Sequence, residues 1–93
     1  MPAYVVEVAR RANGDISSLS TDAALRIARK MRELTEDPGP RGDTIKRLVE
    51  ITPVTYRLRI GDYRAIFRVD GNTVRVLRIV HRSELIRALK DLL

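Results

Sequence analysis

The first half of the chain combines one strand pattern with two stretches of helical periodicity. Residues 3–8 are rich in β-branched side chains and predict a strand. Apolar residues then recur at helical spacing in two groups, which are Ala9, Ala12, Ile16 and Leu19, and Ala24, Ile27, Ala28, Met31 and Leu34. An Asn-Gly pair interrupts the first group, so that helix is predicted to be short or broken. Ser20 or Thr21 can cap the second helix, which should end before Pro38.

The second half of the chain reads as a run of strands followed by a helix. Residues 45–51 predict a short strand, and Gly61-Asp62 supplies the two-residue loop of a hairpin. Gly71-Asn72 marks a second turn before a β-prone run over residues 73–80. Ser83 can cap a closing helix with one apolar side, formed by Leu85, Ile86, Leu89, Leu92 and Leu93.

The resulting order of elements is β-α-α-β-β-β-β-α. Strands joined by short turns after a helical pair are typical of the α+β class. We therefore predict a small antiparallel β-sheet, continuous through residues 45–81, packed against two N-terminal helices and completed by a short C-terminal helix. The length of 93 residues suits one domain over residues 1–93.

The central hairpin divides its side chains between two faces, because side chains alternate along a strand. One face carries an apolar set, namely Leu58, Ile60, Tyr63, Ala65, Phe67 and Val69. The other carries Arg57, Arg59, Arg64, Ile66 and Arg68. We expect Leu58, Ile60, Phe67 and Val69 to be buried against the N-terminal helices. With a two-residue second turn, Phe67 would pair with Val76, Val69 with Val74, and His81 would join the arginine face.

The arginine face is unfavourable for folding alone, because like charges opposite each other destabilise a strand pair. Its guanidiniums stay charged at physiological pH and need either water or an anionic partner. A solvated sheet face and an anion-binding site both fit this pattern. The single sign of the charges and the isoleucine among them favour the anion site, whereas charged strands in general are usually solvated.

Composition narrows the chemistry further. The chain has 18 Lys and Arg against 12 Asp and Glu, a net charge of +6, which favours a polyanionic partner. It has no cysteine and one histidine, so we expect neither a disulfide, a metal site nor another cofactor. The sequence shows no apolar run long enough to span a bilayer and no signal-peptide pattern, which predicts a cytoplasmic protein.

Two motifs carry a resemblance to a known family. Residues 56–64, YRLRIGDYR, and residues 76–82, VLRIVHR, followed by a short helix, resemble the RelE/ParE toxin superfamily over nearly the whole chain. The resemblance implies a toxin of a type II toxin–antitoxin module, neutralised by an antitoxin that wraps it. RelE-like members cleave mRNA on the ribosome without a metal, whereas ParE-like members inhibit DNA gyrase.

By motif position, the resemblance assigns the basic site residues to Arg57, Arg59, Arg64 and Arg82. We predict Arg59, Arg64, His81 and Arg82 to be catalytic, and Arg57, Arg68 and Arg78 to contact RNA. His81 is the one side chain that titrates near neutral pH without perturbation. The leading hypothesis is a ribosome-dependent, metal-independent mRNA endoribonuclease with a RelB-like antitoxin.

Two alternatives remain open at the sequence level. One is a ParE-like gyrase inhibitor, and the other is a degenerate member that binds antitoxin without cleaving RNA. The second alternative arises because Leu85-Ile86 stands where relatives often place a catalytic tyrosine.

Overall fold

The computed structural model describes residues 3–92, and its elements follow the predicted order. The strands and helices are β1 (Val5–Val8), α1 (Arg10–Ser17), α2 (Thr21–Arg32), β2 (Ile45–Arg47), β3 (Tyr56–Ile60), β4 (Tyr63–Asp70), β5 (Thr73–His81) and α3 (Leu85–Asp91). Short 3₁₀ turns at Glu33–Thr35 and Arg82–Glu84 follow α2 and precede α3. No helix within residues 3–92 has both the length and the apolar character needed to cross a membrane.

The five strands form one sheet in the order β1-β5-β4-β3-β2. Strands β2 to β5 are antiparallel neighbours, as predicted for residues 45–81. β1 adds to the free edge of β5 in parallel, pairing Val5 with Thr73 and Val8 with Val76, which the sequence pattern did not predict. The α+β prediction is confirmed, although β2 ends at Arg47, earlier than the predicted range.

The apolar face of the hairpin forms the main core against the N-terminal helices. Leu58, Ile60 and Phe67 are buried as predicted, and α2 contributes Ile27 and Met31 to the same cluster. Ser20 caps α2 by accepting a hydrogen bond from the Ala23 N–H group at 3.2 Å.

Val69 does not belong to this core. The prediction that it is buried is wrong, since it is 36% exposed. Val69 pairs with the buried Val74 on β5, but the pairing of β3 with β4 extends only to Phe67, so β3 does not flank Val69.

A β-bulge between β4 and β5 changes which face the end of β5 presents. Phe67 pairs with Val76 as expected, but Ile66 pairs with Arg78, so Leu77 is an extra residue in β5. From that point the alternation is shifted by one, and His81 pairs with Tyr63. The prediction that His81 lies on the arginine face is therefore wrong.

A second, smaller core lies under α3 on the face that also carries the arginines. Its buried members are Ile66, Val80 and Ala88, and three leucines pack partly buried against them, namely Leu85, Leu89 and Leu92. The isoleucine among the arginines is thus a docking point for α3. Ile86, predicted on the buried side, is 71% exposed, and Leu93 lies outside the described residues.

The turn before α3 is capped by a residue other than the predicted one. Ser83 was expected to cap the helix, but the His81 side chain accepts the Ser83 N–H hydrogen bond through Nδ1 at 3.2 Å. His81 directly precedes the 3₁₀ turn, whereas Glu84, at the N-terminal cap position of α3, makes no side-chain capping hydrogen bond. The cap thus links the end of β5 to the start of α3.

We expect Ile66→Ala to destabilise the protein by about 2–4 kcal/mol, because it opens a cavity in the small core under α3. Ile86→Ala is the matched control and should change the free energy of unfolding by less than about 0.5 kcal/mol. Urea denaturation of both variants measures this difference. Equal effects would show that α3 is not docked through Ile66.

Candidate nucleic-acid interface

Four arginines come together at the tip of the β3–β4 hairpin. Arg57 and Arg59 lie on β3, Arg64 is the pairing partner of Arg59 on β4, and Arg82 follows β5. The Arg82 N–H group donates to the Asp62 carbonyl oxygen at 2.7 Å, which fixes the end of β5 beside the hairpin turn. We call these four residues the arginine cluster.

Arg64 lies at the electrostatic centre of the arginine cluster. Its Nη1 donates to the carbonyl oxygens of Gly61 and Tyr63, both at 2.8 Å, so the guanidinium is held against the turn. Burial lowers the pKa of Arg64, and repulsion from Arg57, Arg59 and Arg82 lowers it further. Arginine nevertheless remains protonated in proteins, so the cluster stays cationic.

Asp43 is a functional candidate that the sequence reasoning missed. Its carboxylate binds Arg57 Nη2 at 3.1 Å through Oδ1 and Arg59 Nη1 through Oδ2. Lys46 Nζ lies 3.3 Å from Oδ1, and Arg57 Nη1 also donates to the Asp43 carbonyl oxygen at 2.7 Å. We call these contacts the Asp43 clamp. Hydrogen bonds from Lys46, Arg59 and Arg57 lower the pKa of Asp43 to about 2.

The register of β2 against β3 explains why Asp43 lies beside Arg57 and Arg59. Ile45 pairs with Leu58 and Lys46 with Arg57, which brings the residues just before β2 alongside Arg59. The Arg59 N–H group donates to the Thr44 carbonyl oxygen at 2.8 Å, extending this pairing by one step. Asp43 is 14 and 16 residues from its arginine partners in the sequence, so only the strand register could have indicated the contact.

Arg78 lies outside the arginine cluster. It forms a bidentate, largely buried ion pair with Asp15, with Nε to Oδ2 at 2.8 Å and Nη2 to Oδ1 at 3.1 Å. Asp15 also accepts the Ile79 N–H hydrogen bond at 2.9 Å, and its hydrogen bond raises the pKa of Arg78. The pair ties α1 to β5 beyond the end of the β1 pairing.

Arg68 also lies away from the hairpin tip. Its Nε donates to the Thr55 hydroxyl oxygen at 3.0 Å, and its strand partner on β5 is Arg75. Of the three residues predicted to contact RNA, the structure therefore places Arg57 in the arginine cluster and the other two elsewhere.

His81 borders the arginine cluster from the other face of the sheet. Its ring contacts Tyr63 edge to face, with ring centroids 5.9 Å apart, and Nδ1 lies 2.8 Å from the Ser83 hydroxyl. Because Nδ1 accepts the Ser83 N–H hydrogen bond, we assign the proton of the neutral ring to Nε2. The imidazole is exposed and directly precedes Arg82 in the chain.

Two surface cavities flank the hairpin tip. One, of about 450 Å³, lies between α1, β5 and α3 and is bordered by Asp15, Tyr63, His81 and Arg87. The other, of about 540 Å³, lies between α2 and the hairpin and is lined by Arg26, Arg29, Lys30, Asp43 and Arg59. Within residues 3–92, no group of His, Asp or Glu side chains is arranged to hold a metal ion.

Comparison with known families identifies the class of protein. A family model described as the ParE toxin of the type II toxin–antitoxin system parDE matches residues 6–86. The chain therefore belongs to the ParE toxin family within the RelE/ParE superfamily, which confirms the resemblance seen in its two motifs. A search of curated proteins finds no match.

Solved structures show the same fold. The archaeal RelE–RelB complex from Pyrococcus horikoshii OT3 has a TM-score of 0.73 and 25% identity, covering 86% of this chain and 96% of that chain. The RelBE2 complex from Mycobacterium tuberculosis has a TM-score of 0.72 and 27% identity, and the match covers 88% of this chain and 100% of that chain. The isolated E. coli RelE toxin has a TM-score of 0.70 and 22% identity, and the match covers 98% of this chain and 100% of that chain. The protein is a RelE-like toxin of a toxin–antitoxin system.

We expect the Asp43 carboxyl group to titrate at about pH 2, below its ordinary value of 3.8. Since its pKa is lower in the folded state, the Asp43 clamp stabilises the fold above the ordinary value, and this stabilisation disappears as the pH falls through about 2. A carboxyl ¹³C NMR titration measures the midpoint. Lys46→Gln should raise that midpoint, whereas a parent midpoint at the ordinary value would contradict the clamp.

Proposed function

We propose that this toxin is an endoribonuclease that cleaves mRNA on the ribosome without a metal and thereby inhibits translation. The observation that carries the proposal is the arginine cluster, which gathers four guanidiniums at one end of a RelE-like sheet, with Arg59 and Arg82 exposed and Arg57 and Arg64 partly buried. A cytoplasmic location follows from the proposed substrate.

The arginine cluster suits the electrostatic part of RNA cleavage. The 2′-hydroxyl gives up its proton to water as its oxygen attacks the adjacent phosphate, and the pentavalent phosphorus centre gains negative charge on its oxygens. The bond to the 5′-oxygen then breaks, which leaves a 2′,3′-cyclic phosphate. Guanidiniums bind such oxygens in bidentate geometry, and donors that are positioned in advance lower the barrier most. Arg64 is fixed in advance by its two hydrogen bonds to the turn, so little ordering is needed when RNA binds.

Proton transfer is the second requirement, because the 5′-oxygen must be protonated as it leaves. Arginine cannot serve as an ordinary base, whereas histidine titrates near neutral pH. As an imidazolium, His81 would give its Nε2 proton to the departing 5′-oxygen and keep the other proton on Nδ1, which lies 2.8 Å from the Ser83 hydroxyl oxygen. Ile86 is exposed and Leu85 half-buried where relatives often place a tyrosine, so His81 is the proposed proton donor.

Ribosome dependence is supported by the arrangement of Phe67, Tyr56 and Tyr63, which form no stacking platform beside the arginine cluster in the described part of the chain. Binding of free single-stranded RNA usually relies on aromatic side chains that stack on bases. Here Phe67 is buried, and Tyr56 stacks on it with ring centroids 5.4 Å apart. Tyr63 contacts His81. The arginine cluster can bind phosphates but offers no aromatic side chain on which bases could stack. This suits an mRNA that the ribosome already holds in place.

An antitoxin is the proposed protein partner, since similar toxins have been solved as RelE–RelB complexes. The net charge of +6 favours an acidic or amphipathic antitoxin segment. Such a segment could cover the arginine cluster or take the place of α3, whose leucines are only partly buried. Co-purification with the product of the adjacent gene tests this part of the proposal, and a failure of the two proteins to bind at low salt would contradict it.

Inhibition of DNA gyrase is the second candidate function, and the match to the ParE family model favours it. Induced cells distinguish the two, because an mRNA endoribonuclease stops translation whereas a gyrase inhibitor causes DNA breaks. A degenerate member would cause neither effect when expressed.

We expect Arg64→Ala to reduce cleavage of a reporter mRNA on ribosomes by roughly 10²–10³-fold, the usual effect of removing one positioned donor. Arg64→Lys should recover only part of the rate, because a point charge cannot form the bidentate fork. The free energy of unfolding should change by less than about 1 kcal/mol, since relief of repulsion offsets the loss of one exposed and one partly buried hydrogen bond.

Arg75→Ala is the matched control for this experiment. Arg75 is exposed, lies on β5 and pairs with Glu7 at 3.5 Å, away from the arginine cluster. The Arg75→Ala variant should cleave mRNA at the parent rate. Thermal unfolding of all three variants checks that they are folded. Parent-rate cleavage by Arg64→Ala would exclude the arginine cluster as the catalytic site.

A further inference from the structure

The Asp43 clamp places a negative charge where the proposed RNA site needs an anion. Each carboxylate oxygen contacts a different guanidinium, Oδ1 that of Arg57 and Oδ2 that of Arg59. A phosphodiester also presents two anionic oxygens on one atom, so it can make the same pair of contacts. The clamp is therefore an arrangement that a phosphate could reproduce.

The Asp43 clamp is not explained by stability alone. The Asp43 side chain is 56% exposed, although that of Arg57 is only 12% exposed, and ion pairs formed by exposed carboxylates usually add little to the free energy of unfolding. Its clearest effect is on the arginine cluster, where it offsets part of the positive charge felt by Arg64.

We propose that Asp43 occupies the phosphate position of the RNA site and that the substrate phosphate displaces it from Arg57 and Arg59. This inference rests on the proposed function and assigns a regulatory competitor within the same site. Asp43 is a positioning residue for the two arginines in the free toxin, and it leaves their guanidiniums when RNA binds.

Displacement of the carboxylate needs a rotation of the Asp43 side chain, while Arg57 Nη1 keeps its 2.7 Å hydrogen bond to the Asp43 carbonyl oxygen. The backbone around it is held by hydrogen bonds from the Thr44 N–H to the Arg41 carbonyl oxygen at 2.9 Å and from the Arg59 N–H to the Thr44 carbonyl oxygen at 2.8 Å. Asp43 also borders the cavity lined by cations of α2, namely Arg26, Arg29 and Lys30. The displaced carboxylate can therefore turn towards other positive charges without movement of β2.

The consequence is a toxin that binds stray RNA weakly. When a site is open only part of the time, the apparent affinity falls by the fraction that is open. An mRNA held on the ribosome presents its phosphate at a high local concentration and can displace the carboxylate, whereas dilute free RNA does so poorly. The internal competitor thus favours the ribosome-bound substrate.

Asp43→Asn tests the inference, with Asp70→Asn as the control of equal charge change. Asp70 lies at the opposite end of β4 from Arg64, roughly 20 Å along the strand. The probe is a short single-stranded RNA whose 2′-hydroxyls are methylated, so that it cannot be cleaved. Binding is measured over a series of salt concentrations.

We expect Asp43→Asn to bind this RNA about tenfold more tightly than the parent, as it would if the clamp were closed about nine-tenths of the time. The slope of log K against log salt should become more negative by roughly 0.7, equivalent to one more phosphate contact on a single strand. In cleavage of ribosome-bound mRNA, KM should fall while kcat stays near the parent value. Asp70→Asn should change each quantity much less.

A second readout uses the parent protein. Saturation with the methylated RNA should shift the Asp43 carboxyl ¹³C signal, since the carboxylate loses its arginine partners. An unshifted signal, or binding by Asp43→Asn no tighter than by Asp70→Asn, would overturn the inference while leaving cleavage by the parent intact. If the parent does not cleave mRNA but Asp43→Asn still binds RNA more tightly, the proposed function fails and the phosphate position stands.

Discussion

Mutual repulsion among four guanidiniums is the constraint on which the functional end of this protein depends. The strand register forces Arg59 opposite Arg64, and the end of β5 brings Arg82 beside them. The fold holds this charge in place with local acceptors. Asp43 binds the two arginines of β3, and the turn carbonyls bind Arg64. These acceptors keep the arginine cluster together despite its repulsion.

The same sheet face must also bury apolar side chains, and α3 resolves this conflict. Ile66 lies between the arginines in sequence but is fully buried with Val80 under α3. The face is therefore divided, with a small core covered by a helix beside an exposed cationic region at the hairpin tip. Because the helix buries its leucines only partly, it is the element best suited to exchange with a partner segment.

Membership of the ParE toxin family and similarity to RelE structures define the toxin class, and the proposal of RNA cleavage rests on the arginine cluster. The arginine cluster favours phosphate chemistry. The absence of the expected tyrosine at Leu85-Ile86 transfers proton donation to His81 in the proposed mechanism. His81 also caps the turn before α3, so its orientation depends on the docking of that helix.

Local patterns in the sequence determined the order of elements, the two-residue hairpin turn and the pairing of Arg59 with Arg64. Each of these depends on period-two alternation and turn chemistry, which act over a few residues. The tertiary structure decided the rest. The bulge at Leu77 inserts one residue that no alternation reveals, and it moved His81 to the other face. Asp43 reaches its arginines only through the pairing of β2 with β3, and β1 joins β5 only after the two helices return the chain. Contacts between residues so distant in sequence are set by how the elements pack, which no short segment encodes.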